Sequence, residues 1–200
     1  MGSHKTKRFI ADTWKEYELI DSGDGAKLEK FGKLVLDRPE SSAVWEKKQA
    51  FKEWDKASAS FESTSKAAGF WKQNGKVPDS WTLGYASEEN PKLRIKFKLE
   101  TTRFKHVGVF PEQASNWEYL AEKLNEGDKL LNLFVYTGGA SLAAKCVGAD
   151  VTHVDAIRQV INWTRENMEM SGLTGIRWVV EDALKFLRRE VKRGNKYTGV

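Results

Sequence analysis

One cysteine, Cys146, stands in 200 residues, so no disulfide can close within the chain and a reducing compartment is expected. Histidine is almost as scarce. His4, His106 and His153 are the three, and without cysteines or carboxylates at ligand spacing they make a weak case for a metal. No run of 18 apolar residues occurs, so no helical membrane span is expected. The polar N-terminus lacks the apolar segment of a secretory signal. Together these absences predict a cytoplasmic chain with no membrane partner. All four prolines, Pro39, Pro78, Pro91 and Pro111, fall in the first 111 residues, leaving the remainder free to form uninterrupted helices. Neither sign of charge dominates. The 33 Lys and Arg against 28 Asp and Glu give a net charge of +5, a mild excess that suits a nucleic acid partner without demanding one.

Against that background one stretch organises the chain. The apolar run from Lys129 to Tyr136 passes through Thr137 into Gly138-Gly139, and a small-residue helical pattern, Leu142 to Gly148, follows. A short apolar run bounded by turn residues reads as a buried parallel strand. The glycines permit a tight turn with close ligand approach, and the helix aims its free N–H groups and positive dipole end at that turn. A second strand, Asp150 to Val154, ends on Asp155, and a third, Ile176 to Val180, ends on Glu181-Asp182-Ala183. The spacing from Gly138 to Asp155, 155 − 138 = 17 residues, is close to the roughly 20 expected for a carboxylate that accepts from a ribose diol. A carboxylate on the third strand can accept from an exocyclic amine such as that of adenine. Each feature also has a plainer reading: Gly138-Gly139 as an ordinary turn, Asp155 and Asp182 as N-caps of the helices Ala156–Met170 and that ending near Arg193. Capping and ligand binding are compatible at a strand-to-helix turn, and the coincidence of three successive strand ends favours an α/β nucleotide-type fold.

Two ligands compete for such a turn. A dinucleotide needs G-x-G-x-x-G, and Thr137-Gly138-Gly139-Ala140-Ser141-Leu142 lacks the spaced glycines. S-adenosyl-L-methionine has no phosphate; its carboxylate suits a helix N-terminus and its sulfonium suits aromatic faces such as Phe134 and Tyr136. The second ligand fits better, with an NAD-dependent oxidoreductase or a non-catalytic RNA-binding module as the alternatives.

Residues 129–183 resemble motifs I to III of class I S-adenosylmethionine-dependent methyltransferases. With the upstream segment Thr102 to Gln113, which contains Gly108-Val109-Phe110-Pro111-Glu112-Gln113, the chain is similar to the bacterial large-subunit ribosomal RNA methyltransferases, the cytosine-C5 type included. The G-x-F-x-x-Q segment is similar to a G-x-F-x-D-Q element that closes over the cofactor, with Glu112 where Asp is usual. The resemblance implies a Rossmann-like methyltransferase core behind a small, mostly β N-terminal domain. It implies methyl transfer from S-adenosyl-L-methionine to a base of RNA, ribosomal RNA foremost, as part of rRNA processing. It places Phe110 and Gln113, the turn Phe134, Tyr136, Thr137, Gly138 and Gly139, the pair Asp155-Ala156 and the triplet Glu181-Asp182-Ala183 around the cofactor. It also implies an Asp-Pro-Pro loop after a fourth strand that begins near Lys196. No Asp-Pro-Pro is present, so the expectation is a chain that carries the cofactor-binding part of a larger enzyme, with any nucleophile beyond Val200. Cys146, in mid-helix, reads as a packing thiol.

The expected division is 5–98, a small β-rich domain, and 99–200, the cofactor domain. In the first region Trp14–Leu19, Gly32–Leu36, Trp81–Tyr85 and Leu93–Leu99 read as strands, Ala43–Trp45 as a further candidate, and Ser87–Pro91 as a turn. Lys47–Ala59 reads as a helix or solvated loop, and Lys66–Pro78 as a mobile polar loop. Trp14, Trp45 and Trp81 are expected in the core. Trp71, beside Lys72 and Lys76, is the best-placed ring for contact with RNA. Pro111–Asn125 reads as a helix with proline at its first position.

Overall fold

The computed structural model describes residues 14–48, 51–65 and 68–200; residues 5–13, 49, 50, 66 and 67 of the segments named above lie outside the described residues. Five strands form the first sheet: β1 (Tyr17–Gly23), β2 (Ala26–Phe31), β3 (Leu34–Pro39), β4 (Ala59–Ser63) and β5 (Gly69–Gln73), in that spatial order. β1 and β2 join through Asp24-Gly25, with φ of 49° and 74°. Two successive left-handed residues are what a two-residue hairpin between right-twisted strands requires. β3 and β4 pair in parallel, and the crossover carries a short helix, α1 (Phe51–Trp54). A two-stranded antiparallel hairpin follows, β6 (Ser80–Ala86) and β7 (Arg94–Glu100), close to the expected bounds.

Three expectations in this region fail. Ala43–Trp45 is no strand: its carbonyls accept from the amides of Asp24 and Gly25 in the first hairpin turn, which holds the segment against that turn instead of along a ladder. Trp45 is accordingly 51% exposed, its indole N–H donating to the Ser22 carbonyl at 2.8 Å, and is not core. Lys66–Pro78 is not one mobile loop, because residues 69–73 are β5, paired over its whole length with β4. Its lysine and glutamine point to water on an edge strand, which hid the strand from a composition-based reading. Trp14 is buried as expected, whereas Trp81 is only partly buried against the core.

Next come a single 3-10 turn, Pro111–Gln113, and α2 (Ala114–Lys123). Three βα units complete the chain: β8 (Lys129–Leu133) with α3 (Gly139–Cys146), β9 (Asp150–Asp155) with α4 (Arg158–Met170), and β10 (Arg177–Val180) with α5 (Ala183–Arg193). The three strands are parallel in the order β10-β9-β8. On the other side of β8, Leu130 bridges Gly199 in parallel, and the Leu131 amide donates to the Gly199 carbonyl at 3.0 Å. The chain therefore winds one way from β8 to β10 and then returns to the opposite edge of β8. Such a reversal opens a crevice above the carboxyl end of the strand where it occurs, which here is β8.

One apolar cluster runs from Trp14, Phe31 and Leu36 through Leu83, Ile95, Phe97 and Trp117 to Leu142, Ala143 and Val151. β7 is its middle layer. The polar backbone of β7 is satisfied by α4: the Lys98 amide donates to Asn167 Oδ1 at 2.7 Å, and Trp163 Nε1 donates to the Lys98 carbonyl at 2.8 Å. A buried strand edge without such partners would leave several polar groups unpaired.

Candidate functional site

After Leu133 the backbone leaves β8 in an unusual conformation. Phe134 and Tyr136, neither of them glycine, take φ of 56° and 46°, and Gly138 takes 88°. Left-handed conformation at a non-glycine residue costs of order 1 kcal/mol or more and persists where surrounding contacts enforce it, commonly at functional sites. The enforcing contacts come from the neighbouring elements. Thr164 Oγ1 donates to the Tyr136 carbonyl at 3.1 Å, and Asn167 Nδ2 donates to the Thr137 carbonyl at 3.0 Å. The Thr137 hydroxyl donates to the Gly108 carbonyl. The Tyr136 ring lies 4.8 Å from Phe110 and 6.3 Å from Trp163, and burial pushes its phenol up to about 12, so it is a neutral aromatic face at physiological pH. Both glycines are required by packing. A Cβ on Gly138 would sit 2.1 Å from Thr164 Cγ2, and one on Gly139 would sit 2.6 Å from the Trp117 ring.

The cleft above this turn has a volume of about 320 Å³ and is lined by Phe97, Val109, Phe110, Gln113, Trp117 and residues 132–140. That is at the low end of small-molecule sites. Of the expected residues it gathers Phe110, Gln113, Phe134, Tyr136, Thr137, Gly138 and Gly139. Phe134 is 78% exposed, and the side chain of Thr137 is buried on its Gly108 bond, so Thr137 offers the cleft chiefly its backbone. The other expected residues do not line this cleft but stand beside it on the adjoining strand ends. Strand register aligns Leu133 with Val154 and Val154 with Val179, so the last residue of β8 lies level with the ends of β9 and β10 across neighbouring strands about 4.8 Å apart.

The carboxylates behave differently from one another. Asp155 Oδ1 accepts from the Ile157 amide at 2.8 Å, while α4 begins only at Arg158 with Ile157 as its N-cap. The expected direct cap of that helix by Asp155 is therefore not formed; the aspartate closes the turn before it. Ala156 beside it is exposed. Asp182 does cap α5, accepting from the Lys185 amide at 2.9 Å, and Ala183 is buried behind it. Glu181 is taken up by both terminal nitrogens of Arg189, which leaves Asp182 the more available of the two.

Several residues escaped the sequence reading. Asn132 Nδ2 donates to Ser141 Oγ at 2.9 Å, and Ser141 Oγ lies 3.0 Å from His153 Nδ1, a buried polar chain that ties β8, α3 and β9 together. His153 is fully buried, and burial lowers its pKa to about 4, so it is a neutral structural ring. Trp163, Thr164 and Asn167 on α4 support the turn from behind. An asparagine interrupting the apolar run at 132 was the available signal; nothing marked the α4 residues. Cys146 is half-buried with its Sγ near the Arg94 carbonyl at 3.5 Å, and burial raises its thiol pKa, as a packing thiol requires. Trp71 is no free stacking platform: its indole donates to the Thr102 carbonyl at 2.9 Å and its ring packs edge-on to Phe61 at 5.3 Å. Among the described residues no three His, Cys, Asp or Glu side chains gather as a metal site, and no helix is long and apolar enough to cross a membrane.

A small N-terminal sheet followed by a parallel sheet that reverses at β8 is a fold shared with solved S-adenosylmethionine-dependent methyltransferases. The comparisons with known proteins agree. The chain is 41% identical, with a TM-score of 0.81, to the SAM-dependent methyltransferase from Agrobacterium tumefaciens, covering 91% of this chain and 57% of that one. It is 35% identical over 96 residues to ribosomal RNA large subunit methyltransferase K/L of Shewanella frigidimarina, 46% of this chain and 13% of that protein. It is 28% identical over 134 residues, 66% of this chain and 34% of the other, to a Methanocaldococcus jannaschii protein provisionally named a ribosomal RNA large subunit methyltransferase. No protein-family model matches the chain. The chain thus spans between about an eighth and somewhat over half of the length of these relatives.

Proposed function

We propose that this chain supplies the cofactor-binding part of an S-adenosyl-L-methionine-dependent methyltransferase that modifies a base of ribosomal RNA in the cytoplasm. The observation that carries the reading is the strained turn from Phe134 to Gly138 at the sheet reversal. It is held in place from α4 and faces the start of α3. The residues present fit the cofactor. The first amides of α3 and its positive end suit the amino acid carboxylate. The neutral faces of Tyr136 and Phe110 suit a cationic sulfur. Asp155, with one oxygen engaged by the Ile157 amide, has the other for a ribose diol, and Asp182 is assigned to the adenine amine because it follows the next strand. Gln113, on the 3-10 turn, would close the cleft with Phe110. Bound there, the cofactor supplies an electrophilic methyl group. The protein's part is to orient it, keep water from it and present the acceptor in line, and such positioning contributes much of the rate in group transfers of this kind.

RNA as acceptor rests on the relatives' names and on the basic excess. A base within structured RNA would have to leave its stack to reach the cleft. The division into 5–98 and 99–200 is proposed as a division of labour, the first part facing RNA and the second the cofactor. Calorimetric titration with S-adenosylhomocysteine tests the reading. One-to-one binding is expected, weakened about tenfold or more in Asp155→Ala because a diol partner is lost. NAD binding in its place would mean an oxidoreductase, and RNA binding with no response to S-adenosylhomocysteine would mean a non-catalytic module.

A further inference from the structure

The first sheet holds a buried ion pair whose reach extends to the cofactor cleft. Glu29 on β2 is 0% exposed and Arg38 on β3 is 2% exposed. Arg38 Nε donates to Glu29 Oε2 at 2.8 Å, and Nη2 lies 2.6 Å from the same oxygen. Tyr17 on β1 donates its hydroxyl to Glu29 Oε1 at 2.9 Å. The remaining guanidinium nitrogen, Nη1, leaves the sheet and donates to the Lys105 carbonyl at 3.0 Å. A buried ion pair seldom stabilises a fold more than apolar residues of the same volume would, and its best-attested use is to specify one arrangement among several. Arg38 joins this pair to residues 102–110 through the Lys105 carbonyl.

That segment is tied to the sheet at three further points. The Gly69 amide donates to the Arg103 carbonyl at 3.1 Å, Trp71 Nε1 to the Thr102 carbonyl at 2.9 Å, and Lys105 Nζ to the Pro39 carbonyl at 3.2 Å. Its far end belongs to the cofactor turn. The Gly108 carbonyl accepts from Thr137, His106 packs 5.0 Å from Phe110, and Phe110 packs on Tyr136. The backbone therefore runs without a break from the sheet anchor to the ring and amide that close the cleft.

We propose that Arg38 is a positioning residue for cofactor binding: by bridging Glu29 and the Lys105 carbonyl it sets the register in which Phe110 and Gln113 meet the cleft. The inference rests on the cofactor reading given above. It also makes the first sheet and the cofactor cleft energetically coupled, so an event on either side is felt on the other.

Arg38→Lys tests positioning through cofactor affinity and local amide exchange. A lysine keeps a positive charge beside Glu29, but its single ammonium cannot span two acceptors as the planar fork does. The variant is expected to remain folded with a lowered thermal midpoint, because buried acceptors lose donors, and, well below that midpoint, to bind S-adenosylhomocysteine about tenfold more weakly, an ordinary size for coupling between sites. Amide exchange is expected to quicken at residues 104–110 and stay unchanged in β8 and β9. If Arg38→Lys fails to fold, the double variant Arg38→Met with Glu29→Met removes both charges at similar volume and is expected to show the same loss. Wild-type affinity in a folded variant, with protected amides at 104–110, would overturn the inference and leave the cofactor reading standing. Failure of the wild-type protein to bind S-adenosylhomocysteine would overturn both.

Discussion

A single methyl group placed on Gly138 probes the strained turn directly. In Gly138→Ala the new Cβ meets Thr164 Cγ2 at 2.1 Å, with Thr164 Cβ and Oγ1 each at 3.2 Å, and the backbone must hold φ at 88°. Left-handed conformation costs an alanine roughly 1–2 kcal/mol. Overpacking against α4, whose Thr164 is fully buried, adds about 1–3 kcal/mol. The expected loss is therefore about 2–5 kcal/mol, a large share of an ordinary domain's stability. Thr164→Ser deletes Cγ2 but keeps the hydroxyl, whose one proton has the Tyr136 carbonyl at 3.1 Å and the Val160 carbonyl at 3.0 Å as acceptors; alone it costs about 1 kcal/mol for the lost methyl. In the double variant the clash is largely relieved while the backbone strain stays. Urea unfolding followed by circular dichroism should then show a favourable coupling of about 1–3 kcal/mol between the two sites. Strict additivity would refute the argument that Thr164 and Gly138 are glycine-matched, and a loss below about 0.5 kcal/mol would refute the strain as well.

Three further outcomes concern His153, Asp182 and Asp155. His153 is buried neutral with a pKa near 4, well below the ordinary 6.5. The unfolded chain therefore takes up a proton that the folded one refuses, and stability present above pH 6.5 falls progressively down to about pH 4, by ~3 kcal/mol. His153→Asn should flatten that part of the pH–stability profile, and an unchanged slope would assign it elsewhere. Asp182→Ala removes the side-chain cap of α5 and should lower stability by about 1 kcal/mol by thermal melting, whereas Asp155→Ala, which caps no helix, should change cofactor affinity far more than the melting point.

The βα half was legible because its signals are local. Each strand is a short apolar run followed by a glycine turn or a carboxylate; Gly138 and Gly139 line the cleft, and Asp155 and Asp182 stand beside it on the adjoining strand ends. The first sheet was legible only in part. β5 disguised itself with exposed Lys72 and Gln73 on an edge strand, and Ala43–Trp45 looked like a strand but lies against the Asp24-Gly25 turn. Trp45 and Trp71 show the same limit from opposite sides. An indole is equally at home in a core or on a surface, and its hydrogen-bond partner, Ser22 in one case and Thr102 in the other, lies 23 and 31 residues away.

By itself the sequence determined the order of the three βα units and that Asp182 caps α5, because backbone freedom, capping and apolar periodicity act over a few residues. The tertiary structure decided which of those ends share a cleft, that α4 clamps the turn through Thr164 and Asn167, and that Arg38 reaches from the first sheet to the Lys105 carbonyl. Those contacts join residues 28, 30 and 67 positions apart, and at such separations only the packing of one element on another brings partners within hydrogen-bond distance.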